Sequence, residues 1–207
     1  MGIFSDGLPE RRGGWLKLKE GENRIRIASA GAVMADHYET GTCYGKAKGC
    51  KGCAMGKEPT FRKLFWVFDR TKVKYVEDGK EYEREAGLKL AKLGSVILKQ
   101  LDAFAENQDY KFTEWPMPYD ITIKAVGAGD KSVKYTVMPS PNRTPLTQEE
   151  QEALAKEHKP EEIVKAMKKK QAKSEGNYVP EPGEDTGGAS SGIQYPQDDI
   201  NPDDIPF

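Results

Sequence analysis

The stretch YDITIKAVGAGDKSVKYTVMP (119–139) alternates apolar and polar side chains on either side of a glycine-containing turn at 127–129. Such period-two alternation predicts two β-strands, each with one buried face. The predicted inner face carries Ile121, Ile123, Ala125, Val133, Tyr135 and Val137, and the outer face carries Thr122, Lys124, Lys134 and Thr136. This strand pair therefore indicates a mainly β domain.

The segments that precede this pair supply the rest of the domain. Residues 15–28 alternate in the same way, residues 32–40 predict a further strand, and 61–70 and 72–82 predict two more. Helical spacing of the apolar residues in 86–105 predicts one amphipathic helix. About five strands with one helix before the last pair predict an OB-fold-like five-stranded barrel. A ferredoxin-like sandwich is the competing fold, but it needs two crossover helices.

Composition and local motifs predict how the chain is organised. Thr147-Gln148-Glu149-Glu150 matches a capping box that opens a helix, and Pro160 can begin a second one. The predicted parts are a flexible N-terminus (1–14), an OB-fold domain (15–145) with a metal loop at 37–60, a helical extension (146–173) and a disordered acidic tail (174–207).

The low apolar content of the sequence does not favour a membrane protein. Apolar residues make up 37% of the 207 residues and charged residues 31%. No apolar run approaches the roughly 20 residues of a membrane span. The first residues also lack the basic and apolar segments of a secretory signal. We therefore expect a cytoplasmic protein with no membrane partner.

Charge is distributed unevenly along the chain. Residues 174–207 contain no Lys or Arg and eight of the 33 acidic residues. The remaining 25 acidic residues face 32 basic ones in 1–173, an excess of seven positive charges. A basic body with an acidic tail is typical of nucleic-acid-binding proteins, although a solubilising tail on a neutral protein would give the same totals.

His37, Cys43, Cys50 and Cys53 form the most specific cluster in the sequence, spaced H-x5-C-x6-C-x2-C. Tetrahedral Zn²⁺ takes four such ligands, often including a C-x2-C turn. The alternative is reduced, unliganded thiols, and a fourth ligand from elsewhere in the chain is the alternative to His37. Four protein ligands would leave no position for a substrate, so we expect a structural metal that orders a lysine-rich loop.

Basic and aromatic side chains recur along the predicted strands and the metal loop. Single-stranded nucleic acid is bound by cations that contact phosphates and by rings on which bases stack. In 62–70, Leu64, Trp66 and Phe68 share one face, so we expect Trp66 to pack in the core and Phe65 to stack on a base. The predicted nucleic-acid-binding residues are Trp15, Lys17, Lys19, Arg24, Arg26, Lys46, Lys48, Lys63, Phe65, Arg70, Lys72, Lys74, Lys124 and Lys134. Core packing for each aromatic residue, and a solvated surface for each lysine, are the simpler interpretations.

The chain finishes with Asp203, Asp204, Ile205, Pro206 and Phe207. A terminal Phe offers a ring and a free carboxylate that a partner pocket can capture together, with nearby aspartates pairing with its Arg or Lys. A flexible 34-residue tether would let this tip move about 30 Å from the body. We therefore predict a partner-binding tip.

Two resemblances arise from these motifs. The terminal Asp203–Phe207 resembles the acidic tip of bacterial single-stranded DNA-binding proteins. The body, over roughly 15–145, resembles the zinc-containing single-stranded DNA-binding proteins of tailed phages, in LKLKEGENRIRI (16–27), in the His/Cys cluster followed by FRKLFWVFDR (61–70), and in 119–137. The resemblance implies an OB fold, bound Zn²⁺, and a protein without catalytic residues that coats and protects single-stranded DNA in phage replication and recombination in the host cytoplasm. The tip implies recruitment of replication, recombination or repair enzymes.

Two other functions remain open at this point. An RNA-binding or strand-annealing module would have the same composition. A zinc-dependent nuclease or deaminase is the enzymatic alternative, because His37-Tyr38-Glu39 and Cys50–Cys53 match the H-x-E and C-x2-C of deaminases. Those enzymes have a proline before the C-x2-C and a wider separation of the two motifs, which are not found here.

Overall fold

The computed structural model describes residues 14–77, 80–130 and 132–178. It is mainly β, and its strands join in one sheet. The strands are β1 (Gly21–Ile27), β2 (Ala32–His37), β3 (Gly41–Thr42), β4 (Thr60–Glu77), β5 (Lys80–Gly94), β6 (Tyr119–Val126) and β7 (Lys134–Arg143). The α-helices are α1 (Lys51–Ala54), α2 (Ser95–Ala105), α3 (Gln148–Ala155) and α4 (Pro160–Ser174). The described part of the chain has no helix with the length and apolarity that crossing a bilayer requires.

The strand order is β3-β2-β4-β1-β6-β7, and β5 pairs with the other edge of β4. Every pairing between these strands is antiparallel. Ahead of β1, Trp15 forms an isolated parallel bridge with Leu90. The prediction of a mainly β fold is confirmed, but the sheet is open.

Strand β4 connects the two halves of the sheet. Its first residues pair with β2, and Val67–Asp69 pair with β1. Its other edge pairs with β5 from Arg62 to Glu77, with a register shift between Asp69 and Lys72. Beyond this shift β4 and β5 continue as a two-stranded ribbon that carries Lys72 and Lys74.

The main core lies on one face of the sheet, below α2. It includes Ile25, Ile121, Ile123 and Val137, which confirms the inner face predicted for these strands. Helix α2 is fastened to β7 by Gln100, whose side-chain amide donates to the Tyr135 carbonyl and accepts from the Val137 N–H. The amide thereby forms the pair of backbone hydrogen bonds that a neighbouring strand would form with β7.

The helical extension covers the opposite face of β4 and β5. Trp66 and Phe68 pack there with Leu146, and Leu64 packs with Val164 of α4. The Trp66 indole N–H donates to the His158 carbonyl at 2.8 Å. The capping box at Thr147 and the helix that begins at Pro160 are both confirmed.

The prediction of a helix over 86–105 is wrong for its first half, because β5 continues to Gly94. Ala91 and Leu93 point into the main core, whereas Leu88 and Leu90 pack beneath the helical extension. A strand buried on both faces has apolar residues at nearly every position, and this pattern resembles one helical stripe. Residues 15–28, whose alternation predicts a strand pair or one long bent strand, contain one strand, which begins at Gly21.

Candidate metal centre and nucleic-acid surface

The predicted metal ligands come from four adjacent pieces of backbone. His37 is the last residue of β2, Cys43 follows β3, Cys50 precedes α1 and Cys53 lies in α1. One ligand atom from each lies within 4.8 Å of all the others. The sequence-predicted set is therefore brought together, and His37 is its histidine member.

Two distances within this group match a tetrahedral site. Cys53 Sγ lies 3.6 Å from Cys43 Sγ and 3.5 Å from His37 Nε2. Ligands bound to Zn²⁺ at about 2.3 Å for sulfur and about 2.0–2.1 Å for nitrogen would be separated by roughly 3.8 Å and roughly 3.5 Å in a tetrahedron. The side chains could hold a metal ion with little rearrangement.

The thiols differ in their electrostatic surroundings. Burial, together with hydrogen bonding and charge from Cys43, raises the pKa of Cys53 to about 11. Burial also acts to raise the pKa of Cys50, but backbone hydrogen bonds from Cys53, Tyr44 and Gly52 outweigh it, so the pKa is lowered. A metal ion would stabilise both thiolates, because ligation displaces the thiol protons.

Gly52 allows helix α1 to approach the histidine. A Cβ at this position would lie 2.4 Å from the His37 ring and 2.5 Å from Thr40 Oγ1. His37 is buried, and its Nδ1 has no hydrogen-bond partner within the described residues. The ring is thus held by packing, with Nε2 directed towards the thiols.

The end of α4 fastens the metal loop. Glu175 accepts hydrogen bonds from the Lys51 N–H at 2.9 Å and the Tyr44 hydroxyl at 2.7 Å. Asn177 donates to the Gly49 carbonyl, and Gln171 donates to the Thr40 carbonyl. Burial acts to raise the pKa of Glu175, but hydrogen bonds from Tyr44, Gln171 and the Lys51 N–H outweigh it and lower the pKa. These supporting residues lie more than 120 positions from the loop, so local patterns do not identify them. Glu175 and Asn177 also show that the prediction of disorder from residue 174 is wrong for 174–178, whereas the rest of that tail lies outside the described residues.

The predicted nucleic-acid-binding residues separate into two groups. Three of them are largely buried, as described below, and three of the exposed ones also pair with carboxylates, Arg24 with Asp120, Lys72 with Glu83 and Lys74 with Glu81. The other eleven are exposed, namely Trp15, Lys17, Lys19, Arg24, Lys46, Lys48, Lys63, Lys72, Lys74, Lys124 and Lys134.

The prediction that Arg26 and Arg70 face nucleic acid is wrong. Arg26 is 2% exposed, and it donates to Asp120 at 2.6 Å and to Thr144. Arg70 pairs with Glu85 and with Glu150 of α3. Burial acts to lower the Arg70 pKa, but these carboxylates raise it. Both guanidinium groups therefore fasten the helical extension to the sheet.

The prediction that Phe65 stacks on a base is also wrong. Phe65 is 5% exposed and packs in the main core. Gly31 lies close against its ring. Trp66 is buried as predicted, but on the opposite face of β4. Both faces of the strand are covered at this point because the extension hides the side that lies away from the core.

The exposed cations lie on more than one surface. Arg24, Lys124 and Lys134 share the uncovered outer face of β1, β6 and β7, which we call the β1–β6–β7 face. Their register makes Lys124 a diagonal neighbour of the other two, at about 7–8 Å. Arg24 also pairs with Asp120. Of the remaining cations, Lys72 and Lys74 lie on the ribbon, Lys46 and Lys48 on the metal loop, Lys63 beside Phe61 on β4, and Lys17 and Lys19 in the segment before β1.

Large exposed apolar residues were missed in the sequence. Phe61 is 64% exposed and Val33 is 59% exposed, although both lie in strands. Trp115 is 42% exposed, and Phe112 packs edge-on against it. Period-two alternation would place Phe61 and Phe65 on one face, but it does not indicate that only Phe65 reaches the core. The predicted tip, Asp203–Phe207, lies outside the described residues.

Comparisons of the chain with protein-family models, curated protein sequences and solved structures found no match.

Proposed function

We propose that this protein binds single-stranded DNA without strong sequence preference and without catalysing a reaction on it. The observation that carries the proposal is a sheet with uncovered cationic residues next to a compact His/Cys module that itself bears Lys46 and Lys48. Cations that contact phosphates and exposed rings that stack on bases are the elements of such binding.

Strand order supports an OB-type architecture for this sheet. Strands β1, β4, β5, β6 and β7 form the series, β1 pairs with both β4 and β6, and α2 lies between β5 and β6. The Trp15–Leu90 bridge ties the segment before β1 to β5, and Gln100 ties α2 to β7; we propose that these contacts favour a barrel-like curvature of the open sheet. In this proposal β2, β3 and the metal loop are an insertion between the first two strands of the barrel.

Zn²⁺ is the ion we propose for the His/Cys module. Three thiolates and one imidazole are a common structural zinc set, whereas Mg²⁺ and Ca²⁺ prefer oxygen ligands. With four protein ligands the ion would fix the end of β2 and the start of α1. Glu39, the carboxylate of the H-x-E motif, is exposed and pairs with Lys57, which does not favour the deaminase alternative.

The acidic tip is proposed to recruit replication, recombination or repair enzymes. This part of the proposal is supported by the sequence Asp203–Phe207 alone. The resemblance to tailed-phage proteins suggests that the partners are host enzymes acting in the bacterial cytoplasm.

Fluorescence anisotropy of labelled oligo-dT tests the proposed binding. The affinity should fall as salt rises from about 50 to about 200 mM, with a log–log slope near −0.7 for each neutralised phosphate. Lys124→Glu with Lys134→Glu should make this slope shallower by about 1.4. The matched control, Lys156→Glu with Lys159→Glu, changes the same charge at exposed positions between α3 and α4 and should retain the wild-type slope. Absence of oligo-dT binding at low salt would refute the proposal, and preference for poly-rU would favour the RNA alternative.

A further inference from the structure

Among the side chains whose burial the structure describes, four aromatic ones are exposed: Trp15, Tyr38, Phe61 and Trp115. A Lys92 ammonium lies 5.1 Å from the centre of the Trp15 ring, so one face of that indole is occupied. Trp115 packs with Phe112 at 5.0 Å, and Tyr38 lies in a turn. Phe61 alone belongs to a strand in the middle of the sheet, where its backbone is held on one edge by β2.

The strand register defines the surroundings of this ring. Phe61 lies opposite Ala35, and Lys63 lies opposite Val33, so these four side chains share one face of β2 and β4. We call them the Phe61 surface. Phe61 and Val33 are diagonal neighbours, at about 7–8 Å. Strand β5 begins to pair with β4 only at Arg62, opposite Gly94, so no strand extends along the other edge of Phe61.

The Phe61 surface lies directly beside the His/Cys module formed by His37, Cys43, Cys50 and Cys53. Along β2, His37 follows Val33 and Ala35 at the same period of two, and it therefore belongs to the same face. Ala35 packs against the cysteine cluster, and its carbonyl accepts from the Cys43 N–H at 2.8 Å. Metal binding would thus fix the strand that supports Val33 and the backbone next to Phe61.

We propose that Phe61 is a nucleobase-stacking platform, with Lys63 contacting the adjacent phosphate. This inference rests on the proposed function and assigns the base contact to one surface of the protein. Lys63 is exposed and forms no ion pair with the residues that the structure describes, so its charge is available. A stacked base needs one ring face, whereas a stable protein interface buries about 800 Å² on each partner. The exposed side chains of Phe61 and Val33 are enough to hold one base, but they are too small a surface for a stable protein interface.

The β1–β6–β7 face does not offer the same contact. Its exposed apolar residues are Val126 and Met138, which have no ring. Its cations can contact phosphates, but the ring on which we propose that a base stacks is Phe61, on the other surface. The two surfaces therefore have different expected roles, and paired ligands with and without bases can separate them.

Phe61→Ala and Phe61→Trp in the full-length, metal-loaded protein test this assignment. Affinities are measured for oligo-dT and for an abasic oligonucleotide of equal length, which retains the phosphates but lacks bases. Phe61→Ala should weaken oligo-dT binding by about 5- to 150-fold, equivalent to one stack of about 1–3 kcal/mol, and should leave abasic binding within about twofold. Phe61→Trp should restore the affinity for oligo-dT. Val96→Ala, at an exposed position of α2 outside both surfaces, is the matched control for losing an exposed apolar side chain.

The outcomes separate this inference from the proposed function. If wild-type protein binds oligo-dT and Phe61→Ala binds it equally well, the platform is refuted and the proposed function stands. An equal loss for oligo-dT and the abasic strand also refutes stacking, because the ring would then act through the fold. If wild-type protein binds neither ligand at low salt, both proposals fail.

Discussion

Replacing Gly52 with alanine tests the geometry of the metal module most sharply. The new Cβ would lie 2.4 Å from His37 Cγ and Cδ2, much closer than real Cβ atoms approach other heavy atoms. The His37 ring is 2% exposed and has no free space to move into without withdrawing Nε2 from the thiols. Alanine otherwise favours helix α1, so the backbone itself should tolerate the change.

The expected loss follows from the ligand count. Structural Zn²⁺ sites contribute about 10–16 kcal/mol, so one of four ligands accounts for roughly 2.5–4 kcal/mol. Losing His37 should therefore weaken metal binding by about a hundredfold to a thousandfold. Gly94→Ala is the matched control, because a Cβ there meets nothing within 4 Å and its φ is −84°.

Cobalt titration against a competing chelator measures this effect. Tetrahedral Co²⁺ bound to thiolates has a characteristic visible spectrum, and its intensity should fall in Gly52→Ala and remain in Gly94→Ala. A Gly52→Ala protein that binds Co²⁺ within threefold of wild type, with the same spectrum, would show that His37 is not a ligand.

Other contacts give further predictions. Glu175→Ala removes the acceptor for the Lys51 N–H. It should weaken metal binding by about tenfold, as the loss of hydrogen bonds that support metal ligands does in other proteins. Ser174→Ala is the control, and equal metal retention by the Glu175→Ala and Ser174→Ala proteins against a chelator would contradict this prediction. Trp66→Phe removes the donor to His158 and should reduce the free energy of unfolding in urea by about 1 kcal/mol. Deleting 203–207 should abolish capture of partner enzymes and leave oligo-dT affinity equal or higher, so persistent capture would exclude the tip.

Local sequence patterns predicted much of the sheet and the His/Cys cluster that could hold a metal ion. The period-two stretches contain β1, β6 and β7, and the H-x5-C-x6-C-x2-C spacing identified four side chains that do converge. These features depend on neighbours within a few residues, or on glycines that permit tight turns. The capping box at Thr147 is equally local and was predicted correctly.

Contacts between distant segments account for the errors. The apolar residues of 86–94 fit a helical stripe because α3, α4 and the main core bury both faces of that part of β5. Arg26 and Arg70 alternate like surface cations, but they pair with Asp120 and Glu150, which lie 80 or more positions away. The pattern of 61–70 does not indicate where the core ends, so it does not show that Phe65 is buried and Phe61 exposed.

The most direct test of the account is an equilibrium titration of the full-length, metal-loaded protein with oligo-dT and with duplex DNA of the same length at low salt. We expect tight, salt-sensitive binding of oligo-dT and much weaker binding of the duplex, whose bases are already stacked on one another. Equal affinity for both forms, or no affinity for oligo-dT, would contradict the claim that this protein binds single strands through exposed cations and rings.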